Sequence, residues 1–144
     1  MVVVAGLVPL LAACTQPLAC TAIGCVSQVS VDVSSAAALA APLPLSATLC
    51  VDGRCQTSSL TLGESGVPAV ATAELPTMTA SPTDPNVHVT LTLTSAGSTL
   101  VRARTTTALG KVAPNGEQCG PICWQSSLVL VGDQMVPAAT PSPS

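Results

Sequence analysis

Leu45-Ser46-Ala47-Thr48-Leu49-Cys50-Val51-Asp52-Gly53-Arg54-Cys55-Gln56-Thr57 reads as a β-hairpin. Apolar residues at 45, 47, 49 and 51 alternate with Ser46, Thr48 and Cys50, the period-two pattern of a half-buried strand. Asp52-Gly53 follows, two residues that both tolerate positive φ, as the tight turn between antiparallel strands requires. The register then follows from the turn. Val51 and Arg54 close it, Cys50 faces Cys55 at the next, non-hydrogen-bonded rung, and Leu45 faces Leu60. Cα atoms at such a rung stand about 4.5 Å apart, the short end of the range a disulfide can bridge. That bridge points away from the apolar face, beside Thr48 and Thr57.

Other short strands flank the hairpin. Gln28 to Val33 alternates cleanly, and Val87 to Thr94 is the clearest strand, with Val87, Val89, Leu91 and Leu93 inward. Ser95 to Ser98 turns it into Thr99 to Thr107, a second hairpin with Arg102 and Arg104 on one face. Ala69 to Leu75 is a weaker strand, and Trp124 to Val131 is the last. Ser34 to Pro44 is an Ala/Pro-rich loop with room for a short helix at Ala36 to Ala41. Gly63 to Gly66 is a turn, and Pro76 to Asn86 and Pro114 to Ile122 are loops. About seven short strands with no amphipathic helix predict an all-β fold, an antiparallel β-sandwich of immunoglobulin-like type. Val26 to Val136 forms this domain, and Pro137 to Ser144 is a disordered Pro/Ser tail.

Composition narrows the function classes. The chain has 144 residues, a net charge of −3, no Phe or Tyr, and Trp124 as its one aromatic. Its core must be built from Val, Leu, Ile and Ala, and its polarity comes mainly from Ser and Thr. Without a basic patch interleaved with aromatics, nucleic acid is not an expected partner. Trp124, directly after Cys123, is expected to pack against a disulfide rather than to present a sugar-stacking platform.

Seven cysteines are present, an odd number. Cys14 stands apart, and the other six fall into three close pairs: Cys20 and Cys25, Cys50 and Cys55, Cys119 and Cys123. The first and last pairs can close locally or cross-link to one another, and spacing leaves this open. Zinc is the rival reading, but the spacings depart from C-x2-C and His88 is the sole histidine, so no metal or other cofactor is expected.

Cys14 is explained by its surroundings. Val2 to Ala13 is an uncharged twelve-residue run, far short of the roughly 20 apolar residues that span a bilayer and matched to a signal-peptide core. Its ending, Leu11-Ala12-Ala13-Cys14, resembles the lipobox of bacterial lipoproteins. The resemblance implies cleavage of residues 1–13 and a diacylglycerol on the Cys14 thiol. Residues 14–25 then form a lipidated tether carrying the first cysteine pair, and the six remaining cysteines are free to pair in an oxidising compartment. Cys-Thr-Ala-Ile-Gly-Cys, Leu-Cys-Val-Asp-Gly-Arg-Cys and Pro-Asn-Gly-Glu-Gln-Cys-Gly-Pro-Ile-Cys-Trp resemble small cysteine-paired lipoproteins of actinobacteria. This resemblance implies an extracytoplasmic location, anchored in the outer leaflet or else secreted.

No reaction centre can be read from the sequence. His88 falls on the solvent face of its strand. Asp32, Asp52, Glu64, Glu74, Asp84, Glu117 and Asp133 fall mostly at turns and strand ends, where carboxylates serve the backbone. No phosphate loop or nucleophile elbow is present. The expected function is a non-catalytic, lipid-anchored interaction domain for an envelope protein partner, recognising it through a loop at Asn115, Gly116, Glu117 and Gln118. A glycan- or small-ligand-binding module is the alternative, and a hydrolase-like enzyme the third choice. Arg102 and Arg104 offer positive charge to an anionic ligand, or simply solvate their strand.

Overall fold

The computed structural model describes residues 20–34, 44–60, 70–75 and 84–139. The signal segment, Cys14, the helix considered at 36–41, the turn at 63–66, most of the 76–86 loop and the last tail residues lie outside them. Nine strands occur among the described residues: β1 (Gln28–Asp32), β2 (Leu45–Val51), β3 (Arg54–Leu60), β4 (Val70–Glu74), β5 (Asn86–Ser95), β6 (Ser98–Ala108), β7 (Gly110–Val112), β8 (Cys123–Val131) and β9 (Gln134–Pro137). They form two sheets, β3-β2-β5-β6 and β4-β1-β8-β7, with β9 sharing the β7 edge of β8. The fold is a disulfide-braced β-sandwich.

Its core comes from alternation. Leu45, Ala47, Leu49 and Val51 of β2 and Val87, Val89, Leu91 and Leu93 of β5 are all buried. Opposite them lie Val29 and Val31 of β1, Ala71 and Ala73 of β4, and Leu128 and Leu130 of β8, in one continuous cluster. Burying each Leu or Val side chain contributes about 1.5–3 kcal/mol, so small aliphatics suffice where aromatics are missing. Trp124 is half-buried against this cluster.

The hairpin has the expected register: Val51 pairs with Arg54, Cys50 with Cys55, and Leu45 with Leu60. Asp52 and Gly53 both have positive φ, 47° and 80°. Three features go beyond the sequence reading. β1 and β8 run parallel, pairing Gln28 with Gln125, so one sheet is mixed. At the buried Leu109 the chain leaves the β6 sheet and enters the other as β7. After Val131 it turns through Gly132, whose φ of 64° suits a glycine, into β9. Pro137 therefore ends a strand, and the Ala138 N–H donates to the Ser127 carbonyl at 2.9 Å, inside the stretch expected to be tail.

Candidate functional site

Two places gather the polar and cysteine chemistry of the chain. The first is a clamp at the end of the sandwich where β1 and β8 begin. Parallel pairing brings the segments before the two strands side by side, and there the outer cysteine pairs cross-link: Cys20 to Cys119 and Cys25 to Cys123, with Cα–Cα distances of 5.5 and 6.0 Å. Of the two arrangements left open by spacing, the parallel ladder selects this one. Cys119 and Cys123 are buried beneath the N-terminal segment.

Asn115 completes the clamp. Its Oδ1 accepts from the Thr21 hydroxyl at 2.6 Å and the Ile23 N–H at 3.3 Å, while its Nδ2 donates to the carbonyls of Ile23 at 2.8 Å and Gly120 at 3.2 Å. The hydrogen-bonding capacity of this amide is spent inside the protein. The Gly116 N–H donates to the Ala113 carbonyl, and the Gly116 carbonyl accepts from Cys119. Glu117 is exposed and accepts from Lys111 Nζ at 2.9 Å, the one ion pair among the described residues. That hydrogen bond and the ammonium charge hold the Glu117 carboxyl below its ordinary pKa. Gln118 is exposed. Sequence reasoning put these four residues in one loop, and they are in one loop; Asn115, however, faces inward as a bracket.

The second place is the outer face of β3-β2-β5-β6. Cross-strand rungs set its contents: Thr57 beside Thr48, Thr92 and Arg102; Cys55 beside Cys50, Thr90 and Arg104; and His88 beside Thr106. The disulfide between Cys50 and Cys55, Cα–Cα 3.9 Å, lies on this face. Thr48 and Thr57 hydroxyls share a hydrogen bond of 2.8 Å, and Ser46 and Thr94 one of 2.6 Å.

A bulge decides what β6 shows. Next to the turn Ser95 pairs with Ser98 and Thr94 with Thr99, but from Leu93 onward the register slips by one, leaving Leu100 without a partner. Had the turn register continued, Arg102 would oppose Leu91 and Arg104 would oppose Val89, both in the core. The extra residue turns the two guanidiniums to solvent and puts Ala103 inside. The turn itself holds Ala96 at φ 46°, so it carried no Asn-Gly or Asp-Gly signature.

A shallow open groove of about 380 Å³ runs over this face, lined by His88, Thr90, Arg104, Thr105 and Thr106 with the backbone of Val89. His88 Nδ1 lies 3.0 Å from the Thr106 hydroxyl. Asp52 at the hairpin tip grips the His88 backbone, accepting its N–H at 2.8 Å and donating to its carbonyl at 2.9 Å. Asp84 is occupied with the backbone and side-chain nitrogens of Asn86, each at 2.9 Å, and these bonds lower its pKa. A hydroxyl against an imidazole is a fragment of nucleophile–base chemistry, and this one lies on an open sheet face where both His88 and Thr106 are exposed.

Among the described residues no three His, Cys, Asp or Glu side chains are grouped to hold a metal ion, and no helix is long and apolar enough to cross a membrane. The three disulfides are compatible with an extracytoplasmic location. Compared with protein-family models, with curated proteins and with solved structures, the chain finds no match in any of the three.

Proposed function

We propose that the protein is a lipid-anchored, extracytoplasmic display domain that works by recognition rather than catalysis. One observation carries this reading: two disulfides at sequence separations of 99 and 98 rivet the segment that follows Cys14 to the loop before β8 and to the first residue of β8. An anchor on Cys14 would reach Cys20 through six chain steps, at most about 20 Å. Force on it would then be borne by covalent bonds before any strand. On this reading the clamp end faces the membrane, the loop at Asn115–Gln118 serves as its bracket, and the outer face of β3-β2-β5-β6 is the surface offered to an envelope protein. The hydroxyls of that face favour a second reading, a module for glycans or small polar ligands.

Crosslinking on intact cells followed by capture distinguishes the two, a protein partner supporting the first and cell-wall glycan the second. Anchoring is tested by Cys14→Ala, which should release the protein from membranes, and by intact mass, which should give a chain starting at Cys14 with added acyl mass. A soluble mature form that keeps residues 2–13 contradicts the anchoring.

A further inference from the structure

The outer face of the β3-β2-β5-β6 sheet holds an arrangement that the fold does not use. Arg102 lies opposite Thr92 and Arg104 opposite Thr90, on adjacent outward rungs of β5 and β6. Both arginines are exposed, and neither has a carboxylate within ion-pair distance among the described residues. The hydroxyls of Ser46, Thr48, Thr57, Thr94 and Thr106 are engaged with one another or with His88. Those of Thr90 and Thr92 have no partner among the described residues. Two guanidiniums and two hydroxyls thus stand together with their donors unspent. Like charges two residues apart on one strand face repel one another, and an anion between them relieves the repulsion.

We infer that Arg102, Arg104, Thr90 and Thr92 form a binding site for a phosphate group, in ionic form or as a monoester on a hydroxylated carrier. Phosphate suits the array better than carboxylate. It brings a charge of about −1.5 to −2 at neutral pH and three acceptor oxygens, matching two cations and donors on two rungs. A carboxylate is satisfied by one bidentate arginine and leaves the second uncompensated. The Asp52 and Asp84 carboxylates lie toward His88, so the anion is held over the Thr90 and Thr92 rungs. The groove reaches Thr90 and Arg104, and hydroxyls on the neighbouring rungs can meet those of the carrier. The inference concerns this face alone and does not depend on the lipid anchor.

The test is amide NMR on the domain with all three disulfides intact, titrated with inorganic phosphate, with glucuronate, and with chloride at matched ionic strength. Phosphate should give saturable shifts centred on Thr90, Thr92, Arg102 and Arg104, with a dissociation constant of about 1–10 mM, as befits an exposed site. Glucuronate should bind more weakly and chloride without saturation. R102Q and R104Q should each weaken phosphate roughly tenfold or more, and Thr90→Val less, without loss of the hairpin spectrum. The inference is overturned if phosphate behaves like chloride, if glucuronate matches it, or if the arginine variants bind phosphate unchanged. Unchanged binding together with new self-association of R102Q/R104Q would identify the arginines as guards of the β6 edge.

Discussion

Removing the two clamp disulfides should give destabilisations that are far from additive. Each bridge closes a loop spanning nearly the whole domain, at separations of 99 and 98 residues. In the chain-entropy account, one such closure restricts the unfolded chain by about 4.7 kcal/mol at 25 °C. The second bridge does not contribute the same again. With Cys25–Cys123 in place, Cys20–Cys119 closes only a ring of roughly ten residues, worth about 2.7 kcal/mol. Replacing either pair with serine should therefore cost about 2.7 kcal/mol, and replacing both about 7 kcal/mol, an excess of about 2 kcal/mol over the sum. The assay is urea unfolding followed by the fluorescence of Trp124, half-buried next to Cys123. A loss of about 7 kcal/mol is a large part of an ordinary domain's stability, so the variant lacking both bridges is measured with a stabilising osmolyte, and the others under the same conditions. Strict additivity, or a single-pair loss as large as the double, would refute the nested-loop reasoning.

Several further perturbations have defined outcomes. Ala96→Asn should raise stability by about 0.5–1 kcal/mol in thermal unfolding, because asparagine tolerates the left-handed backbone there better than alanine; a loss would contradict the turn assignment. Deleting Leu100, the unpaired residue of the bulge, should cost little stability, since the ladder then runs on from Thr94 opposite Thr99 to Leu93 opposite Val101 with Arg102 and Arg104 still outward; a severe loss would contradict the register. Asn115→Ala should cost about 1–3 kcal/mol and speed hydrogen exchange at Ile23 first, whereas uniform protection would show that the bracket does not hold the segment. Glu117 has a depressed pKa in the folded state, so the stabilisation from its pairing with Lys111 is present above the ordinary glutamate range and fades as pH falls through the depressed value. Lys111→Met should return the NMR titration of Glu117 upward to the ordinary glutamate range, and an unmoved titration would discount the contact.

The sequence was most informative where structure is local. The β2–β3 register was legible to the residue because Asp52-Gly53 fixes the turn and the alternation fixes the face, and the inward set of β5 followed from its period alone. β9 carries a local signal of its own: Gly132-Asp133 between Val131 and Gln134 is a two-residue hairpin turn. β7 left almost none, since three residues with one crossing point at Leu109 have no period to detect. The clamp is the most instructive case. Its cysteines were plain, but their partners depend on β1 and β8 running parallel nearly a hundred residues apart, a choice made by packing rather than by neighbours in sequence. In sequence Asn115 is a loop residue free to bind, and only the N-terminal segment folded across it engages it. The outward pair Arg102 and Arg104 was expected on one face, while the bulge that puts them there was hidden behind a turn containing alanine where asparagine or aspartate would have marked it.

Disulfide mapping tests the central claim most directly. Protein recovered from the cells that make it, with thiols blocked at lysis, is digested without reduction and its linked peptides are identified. Cys20 should be joined to Cys119, Cys25 to Cys123 and Cys50 to Cys55, with none of these six thiols free to the blocking reagent. Local Cys20–Cys25 and Cys119–Cys123 bridges, or a population with the clamp cysteines reduced, would contradict both the parallel-strand clamp and the extracytoplasmic display built upon it.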